Sequence, residues 1–385
     1  MKRKIFIPIP YFLPGENGGG PVRSIINLID HSCNYFDYYV ITKNTDFNSS
    51  IQYDLPCNTW IQMSNYKVCY LIANRFNLSS IVNQYNSIQP NVIYLNSFFS
   101  SMSIKLVLFS IFNKEFLNKL VISPRGEFSK GALSQKKFKK QFFLRIAQIT
   151  GMYRSVPFIA STTLECEDIK SIFKNNTVHI AMNLPAINKF PIKANVQNKK
   201  EVGSAKILFI SRINRMKNLD YALVVLKGVL GNVSFDVYGP IEDNDYYQDC
   251  LQLAKGLPEN ITFSYKGVLK NDLVIQKIAE YDALLLPTKG ENYGHVIVEA
   301  LTACVPVIIS DNTPWNNLEH FNAGYNIDLS DLTKFREKIE KIVSMNSDEM
   351  LMMKRGVKDY LSNNLDINEN TKDNINIFLN LSVND

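Results

Sequence analysis

Short runs of apolar residues recur along the first half of the chain and alternate with segments of helical periodicity. The runs lie at 4–10 (KIFIPIP), 37–42 (DYYVIT), 91–95 (NVIYL), 120–123 (LVIS), 158–161 (FIAS) and 177–181. Between them, apolar residues at 22–31 and 101–112 are spaced as on one face of a helix. Strand-length runs that alternate with helices predict an α/β fold built on a parallel sheet.

The same alternation restarts at Lys206, after a polar stretch rich in lysine. Strand-length runs follow at 206–210, 234–239, 261–267, 283–287 and 305–309, a helix is predicted at 271–281, and 347–380 has the pattern of two helices. A chain of 385 residues suits two domains, because one domain typically holds about 100–200 residues. We therefore predict a first domain at 1–190, a linker at 191–205, a second domain at 206–365, and a C-terminal helix at 366–385 that packs back on the first domain.

Three consecutive glycines follow the first predicted strand. Gly18, Gly19 and Gly20 allow positive φ angles and a close backbone approach, and Pro21 suits the first turn of a helix. A strand, a glycine loop and a helix are typical of a Rossmann-like domain, although the G-x-G-x-x-G fingerprint of dinucleotide-binding proteins is missing. The loop is therefore either a phosphate-binding turn or only a tight connection.

Two cations follow the first strand of the second half. Arg212 comes directly after this strand, and Lys217 lies five residues later, where the next helix begins. Arginine offers a planar fork and lysine a point charge, and both suit a diphosphate near a helix N-terminus. Taken alone, the two residues could equally be surface cations.

The stretch from Tyr281 to Ser310 is predicted as strand, loop, helix and strand. Glu291 lies in its loop, and Glu299 lies one to two turns into its helix. A helix N-terminus attracts phosphate, and carboxylates beside it can accept hydrogen bonds from hydroxyls. This combination predicts a pocket for a ligand that is part phosphate and part polyol. Individually, Glu291 could be an acid favoured by the helix dipole and Glu299 a solvated residue.

Composition excludes several classes of protein. The six cysteines include no C-x-x-C pair and the four histidines are dispersed, so we expect reduced thiols and no zinc site. No apolar run approaches the ~18–20 residues of a membrane-spanning helix, and the first residues lack the three parts of a signal peptide. Together these features predict a cytoplasmic protein. Asp243 and Asp245 form a D-x-D pattern, but they are interpreted as helix-capping acids rather than metal ligands.

The net charge of +6 is unevenly distributed. Residues 1–195 contain 22 lysines and arginines against 10 acidic residues, whereas the remainder contains 20 against 26. Lys136, Lys137, Lys139 and Lys140 alternate with a stripe of Phe and Leu. This segment is either a helix on the inner face of an anionic membrane or a helix whose apolar face is buried. A nucleic-acid patch is disfavoured, because no recognition motif accompanies it. Downstream, Thr162 and Glu165 predict a capping box.

Four motifs in the second half together resemble the retaining glycosyltransferases of family 4. They are S-R-x-x-x-x-K at 211–217, V-Y-G at 237–239, Y-K-G at 265–267, and P-T-x-x-E-x-x-G-x-x-x-x-E-A at 287–300, which contains the E-x7-E signature. The resemblance is strong over about 205–330. It is weaker in the first half, where Gly18 to Gly20 and SPRGEFSKGAL at 123–133 look like enzymes that build bacterial surface polysaccharides such as capsule and lipopolysaccharide. It implies the GT-B fold, with two Rossmann-like domains whose parallel sheets face each other across a cleft.

The resemblance also implies roles for individual residues. Arg212 and Lys217 would neutralise the diphosphate of a nucleotide-sugar donor and stabilise the leaving group, Glu291 would contact the donor sugar, and Glu299 would hold the ribose hydroxyls. Because two cations serve the diphosphate, neither a divalent metal nor another cofactor is expected. Further donor contacts would come from Gly19, Gly20, Gly239, Gly267, Val268, Asn292, Tyr293 and Gly294.

The acceptor side is less defined. Many family members carry a histidine on a first-domain loop near the donor sugar, but the corresponding region here, YLNSFFS at 94–100, has Asn96 and no histidine. Arg125 follows a predicted strand end and is the other candidate on this side. Retaining transfer by front-face attack needs no protein base, because the leaving phosphate takes the proton, so activity is still expected.

Three functions from different classes fit these patterns. The favoured one is metal-independent, retaining transfer of a hexose-type sugar from a nucleoside-diphosphate donor to a glycan or lipid-linked acceptor. A sugar-nucleotide epimerase of GT-B fold would convert the donor without an acceptor. A non-catalytic protein would bind the nucleotide sugar or glycan and transfer nothing.

Overall fold

The structure, a computed structural model, describes residues 1–134, 137–187 and 200–381. It divides the chain into two compact units. Unit 1 comprises Met1–Ile187 with Ile367–Asp385, and unit 2 comprises Asn188–Asp366. Most of the predicted linker at 191–205 lies outside the described residues, and Ser204 already begins the first strand of unit 2.

Unit 1 is a sheet covered by helices. Among its described residues, eight strands have the order β3-β4-β2-β1-β5-β6-β7-β8. Every neighbouring pair is parallel except β3 and β4. The strands are β1 Arg3–Pro8, β2 Phe36–Lys43, β3 Trp60–Gln62, β4 Tyr66–Leu71, β5 Val92–Asn96, β6 Leu120–Ser123, β7 Phe158–Ala160 and β8 Val178–Ile180. The helices are α1 Gly19–Ser32, α2 Leu78–Ile88, α3 Ser101–Ile111, α4 Lys114–Asn118, α5 Lys130–Ser134, α6 Lys137–Thr150 and α7 Thr163–Ile172, with a 3-10 turn at Ala73–Arg75.

Unit 2 repeats the design with a sheet of six strands in the order β11-β10-β9-β12-β13-β14, all parallel. Its central strand β12 is buried at every position, as expected for a parallel sheet covered on both faces. The strands are β9 Ser204–Ile210, β10 Asn232–Tyr238, β11 Ile261–Tyr265, β12 Ala283–Leu286, β13 Val307–Ser310 and β14 Gly324–Ile327. The helices are α8 Leu219–Leu226, α9 Asn244–Lys255, α10 Val274–Ile278, α11 His295–Thr302, α12 Leu332–Ser344 and α13 Ser347–Asn364.

The last helix, α14 (Ile367–Leu381), belongs to unit 1 and packs beside α1. Its Phe378 is fully buried, and the ring centroid lies 5.1 Å from that of Tyr94 and 6.0 Å from that of Phe36. Burying one such side chain stabilises a fold by roughly 1.5–3 kcal/mol. The chain therefore returns to the core of unit 1 after completing unit 2.

None of the predicted strands or helices lies within 43–90, but the structure forms β3, β4 and α2 there. β4 lies between polar flanks, and its burial comes from pairing with β2, a contact that local sequence does not show. The helix predicted at 271–281 is also too long. Only Val274–Ile278 is helical, and the chain then turns, with the Tyr281 hydroxyl donating to Asp236 Oδ2 at 2.8 Å.

The start of α7 corrects a second detail. Thr162 caps the helix as predicted, since its Oγ1 accepts from the Glu165 N–H at 3.1 Å. The Glu165 carboxylate, however, accepts from the N–H of Ser161 at 2.7 Å and of Gly126 at 2.6 Å. In a capping box, the Glu165 carboxylate would accept from the Thr162 N–H. Here it links the loop after β6, at Gly126, to the end of β7, at Ser161.

Candidate active site

The two neighbouring strands β9 and β12 mark the switch point of the unit 2 sheet. From β9 the chain winds outward through β10 and β11 on one side, and from β12 through β13 and β14 on the other. Open α/β sheets bind ligands beyond the carboxyl ends of the strands at such a point. The segments that leave β9 and β12 there, 211–218 and 287–294, contain the predicted diphosphate cations and the first predicted carboxylate.

Lys217 and Glu291 meet at this edge. The Nζ atom of Lys217 donates to Glu291 Oε1, and the two side chains are only 15% and 11% exposed. The surrounding backbone fixes the approach, because the Lys289 N–H donates to the Met216 carbonyl at 2.8 Å and the Glu291 N–H to the Asn312 carbonyl at 2.9 Å. The structure thus places a shielded cation and a carboxylate in direct contact at the switch point.

Arg212 has a different partner. Its Nη1 donates to Glu242 Oε1 at 3.1 Å, and the side chain is 41% exposed. The other Glu242 oxygen accepts from Asn214 Nδ2 at 2.5 Å, while Asn214 Oδ1 accepts from the N–H of Met216 at 3.1 Å and of Lys217 at 3.2 Å. Glu242 therefore links Arg212 to the turn that carries Lys217.

Sequence reasoning missed Glu242 and Asn214. Asn214 lies inside the R-x4-K motif, and an Asn able to form an Asx turn was the available signal. Glu242 follows β10, thirty residues after Arg212, and only the parallel pairing of β9 with β10 brings the two loops together. The neighbouring Asp243 caps α9 as predicted, accepting from the Tyr246 N–H at 3.0 Å.

Gly294 begins α11 with φ 74, in the left-handed region. A Cβ at Gly294 would also lie 2.8 Å from Cδ1 of Ile297, so the position requires glycine. Tyr293, just before it, is buried, and its backbone oxygen accepts from Trp315 Nε1 at 2.5 Å. Burial raises the pKa of the Tyr293 phenol, and the negative charge of Glu299 on α11 adds to the shift. Glu299 itself lies in the middle of α11 and is half-buried.

Gly239 and Gly267 lie side by side just after β10 and β11. The Gly239 N–H donates to the Gly267 carbonyl at 2.9 Å, and both residues have positive φ, 135 and 80 respectively. Val268, next in the chain, is exposed. Asn292 is half-buried in the loop before α11. Apart from Glu299, which lies within α11, the predicted donor residues of unit 2 thus lie just beyond carboxyl ends of its strands, and their contact with a donor stays a prediction.

The unit 1 candidates occupy corresponding places on their own sheet. Gly19 and Gly20 form the first turn of α1, immediately after the Gly18 cap. Asn96 ends β5 and Arg125 follows β6. The structure brings these last two into contact, since Arg125 Nη2 donates to Asn96 Oδ1 at 2.7 Å.

Among the described residues, no group of three or more His, Cys, Asp or Glu side chains is placed to hold a metal ion. Within those same residues, no helix is both long enough and apolar enough to cross a bilayer.

An open, doubly wound sheet with a cation and a carboxylate at its switch point defines an α/β protein suited to a phosphate-containing ligand. Comparison with known families makes the class specific. Residues 192–359 match the family described as glycosyl transferases group 1. The chain therefore contains a group 1 glycosyltransferase domain, and with its two parallel-sheet units it has the GT-B fold.

Individual proteins share the sequence in part or the fold. The chain is 27% identical over 305 residues to an uncharacterized 41.2 kDa protein in the cps region of Klebsiella pneumoniae, which covers 77% of this chain and 79% of the relative. Sucrose-phosphate synthase from Thermosynechococcus elongatus superposes with a TM-score of 0.79 at 12% identity, covering 99% of both chains. WaaG, a glycosyltransferase involved in lipopolysaccharide biosynthesis, superposes with a TM-score of 0.68 at 15% identity, covering 97% of this chain and 99% of WaaG. At these identities the solved structures show the fold alone.

Proposed function

We propose that this protein transfers a hexose-type sugar from a nucleoside-diphosphate donor to a glycan or lipid-linked acceptor in surface polysaccharide synthesis, with retention of configuration and without a metal ion. The observation that carries the proposal is the shielded Lys217–Glu291 pair at the switch point of the group 1 domain. A cation held there by a single carboxylate can exchange that partner for a phosphate oxygen.

The donor would be bound by charge on one side and by hydroxyl recognition on the other. Lys217 and Arg212 would contact the diphosphate, and Glu299 on α11 would accept hydrogen bonds from the ribose. Glu291, freed from Lys217 by the incoming phosphate, would accept from a sugar hydroxyl. Preorganised cations stabilise charge that develops on a leaving group, which is the largest contribution in many enzymes.

In the transfer step, the bond between the sugar C1 and the diphosphate oxygen breaks, and a bond from C1 to the acceptor oxygen forms on the same face. The acceptor proton passes to the leaving phosphate oxygen. Two protein cations carry the role that a divalent metal has in other phosphate-transfer sites, which is our reason for proposing metal independence.

The name of the Klebsiella relative places that protein in a cps region, and this supports an acceptor that is part of a surface polysaccharide. A lipid-linked acceptor would bring the enzyme to the membrane surface. Helix α6 offers a surface for that contact, because Phe138, Phe142 and Ile149 are 88%, 68% and 85% exposed. These residues share one face by helical spacing, with Lys139 and Arg145 also exposed.

Exposed aromatic residues flanked by basic ones are typical of a helix at an anionic lipid interface. We expect sedimentation with anionic liposomes at low salt, lost at high salt because the attraction is screened. Phe142→Ser should weaken sedimentation, whereas Phe112→Ser, which removes a still more exposed ring from the loop after α3, should not. Equal recovery in the supernatant with and without liposomes would contradict membrane contact.

The function itself is tested by titrating the protein with nucleoside diphosphates and their sugars, then assaying transfer with a chelator present. Glu299→Ala should weaken nucleotide-sugar binding strongly, and Arg212→Ala should largely abolish turnover. Nuclear magnetic resonance of the product should show the anomeric configuration of the donor. Full turnover by both variants, or an inverted product, would overturn the proposal, and conversion of donor without any acceptor would favour an epimerase.

A further inference from the structure

Arg125 in unit 1 is fixed by neutral partners at the carboxyl end of β6. Its Nε and Nη2 donate to Asn96 Oδ1 at 3.1 and 2.7 Å, and Nη2 also donates to the Tyr94 hydroxyl at 2.7 Å. Nη1 donates to Asn183 Oδ1. A guanidinium has five N–H donors, so one N–H of Nη1 is left over. The fold thus holds a half-buried cation in one position.

No carboxylate compensates this charge within the part of the chain that the structure describes. Two glutamates lie close in sequence or space but bond to other groups. Glu127 accepts from Ser97 Oγ and from the N–H of Phe98, both at 2.6 Å. Glu165 accepts from the N–H of Gly126 at 2.6 Å. Neutral hydrogen bonds orient a guanidinium without neutralising it, and shielded charges in proteins are normally paired.

Asn96 supplies a second, independent observation. The residue is 7% exposed, and its Oδ1 is occupied by Arg125. Its Nδ2 is buried and has no hydrogen-bond partner. Buried donors are almost always satisfied, so an unsatisfied one needs an explanation. A surplus of donors beside an unpaired cation calls for an anionic oxygen ligand, and the carboxyl edge of a parallel sheet is where such folds bind ligands.

We infer that Arg125 and Asn96 form an anion-binding site on unit 1, and that the acceptor of the transfer carries a phosphate or diphosphate group that this site holds. The inference rests on the proposed function, because only a transfer reaction requires an acceptor. The phosphate could belong to a carrier lipid or to a soluble sugar phosphate, and both present the same oxygens to the guanidinium.

The site is tested with inorganic pyrophosphate as the probe, in the full chain carrying Arg212→Ala and Lys217→Ala so that donor-site cations do not contribute. In this background we expect calorimetric binding that weakens at least tenfold with Arg125→Gln. Asn183→Ala is the matched control, because it removes one bond to Arg125 and keeps the charge. It should stay within about twofold, and Arg125→Lys should retain part of the binding.

Two outcomes would overturn the inference. In the first, Arg125→Gln leaves pyrophosphate binding unchanged. In the second, Asn183→Ala or Arg125→Lys loses as much as Arg125→Gln, which shows that Arg125 acts through structure alone. Thermal unfolding of each variant, followed by fluorescence of Trp60 in unit 1 with Trp315→Phe introduced, checks that unit 1 remains folded.

Failure here is separable from failure of the proposed function. If the protein with Arg212 and Lys217 intact binds no nucleoside diphosphate, the transferase proposal fails whatever Arg125 does. If it binds the diphosphate and Arg125→Gln changes neither acceptor KM nor pyrophosphate binding, only the anion site fails. Parallel transfer assays with a soluble sugar phosphate and with a prenyl-diphosphate-linked sugar in detergent distinguish the two sources of phosphate. If the site holds the lipid form, Arg125→Gln should raise the KM for the prenyl-diphosphate-linked acceptor alone.

Discussion

Gly239 offers a sharp test of how unit 2 is held together, because Gly267 beside it provides a matched control. A Cβ on Gly239 would lie 2.6 Å from the carbonyl carbon of Ser211 and closer still to its oxygen. Carbon atoms in contact prefer about 3.5–4.0 Å, so the loop that begins the Arg212 turn would have to move by about 1 Å. A Cβ on Gly267 would meet nothing within 4 Å.

The expected costs follow from these contacts. At φ 135, Gly239→Ala strains the backbone by about 1–3 kcal/mol, and separating the two packed strand ends adds about 1–3 kcal/mol. Gly267→Ala, at φ 80 and in open space, should cost only the left-handed penalty of about 1–2 kcal/mol. We therefore expect Gly239→Ala to be the more destabilising change by about 2 kcal/mol, from the sum of these terms.

The chain supplies its own reporter. Its two tryptophans are Trp60 in unit 1 and Trp315 in unit 2, so Trp60→Phe leaves Trp315 to report on unit 2 alone. With a urea m-value of about 2 kcal/mol per molar, a difference of about 2 kcal/mol shifts the midpoint by about 1 M. Nucleoside-diphosphate binding should fall with Gly239→Ala, because Ser211 adjoins Arg212. Equal urea midpoints for the two variants would refute the reasoning.

Three further predictions follow from the same contacts. Lys217→Ala should destabilise unit 2 by about 1–3 kcal/mol, because it leaves the shielded Glu291 unpaired. Adding Glu291→Ala should restore the stability of unit 2, measured by urea unfolding with Trp315 fluorescence. It should not restore the nucleotide affinity measured by calorimetry. Glu242→Ala should weaken nucleoside-diphosphate binding about 3–10-fold if its link to Arg212 is worth about 1 kcal/mol. In a protein that already carries Arg212→Ala, it should weaken binding no further. Asp249→Ala, which removes a partner of Arg215, is the control. Burial raises the pKa of Glu127, so protonated Glu127 stabilises the fold fully below its unfolded pKa of about 4.3. This contribution is lost as the pH rises through the folded pKa. Between pH 4 and neutrality, the Glu127→Gln variant should therefore lose less unit 1 stability than the parent, as followed by Trp60 fluorescence.

Sequence by itself determined most of the strands and helices, and the reason is periodicity. Leu120–Ser123 and the strand before Glu291 are local apolar runs, and Thr162 carries a local signal for a helix start. The motifs at 211–217 and 287–300 also placed Arg212, Lys217 and Glu291 in loops at strand ends. All of these signals arise from interactions within a few residues along the chain.

Only the tertiary structure decided which charges meet. Lys217 and Glu291 are 74 residues apart and Arg212 and Glu242 are 30 apart, and sheet order alone brings each pair to the same edge. The same holds for Asn96, Arg125 and Asn183, which come from three separate segments. Parallel sheets join strands distant in sequence, so a linear pattern supplies the residues of a site while the order of the strands selects their partners.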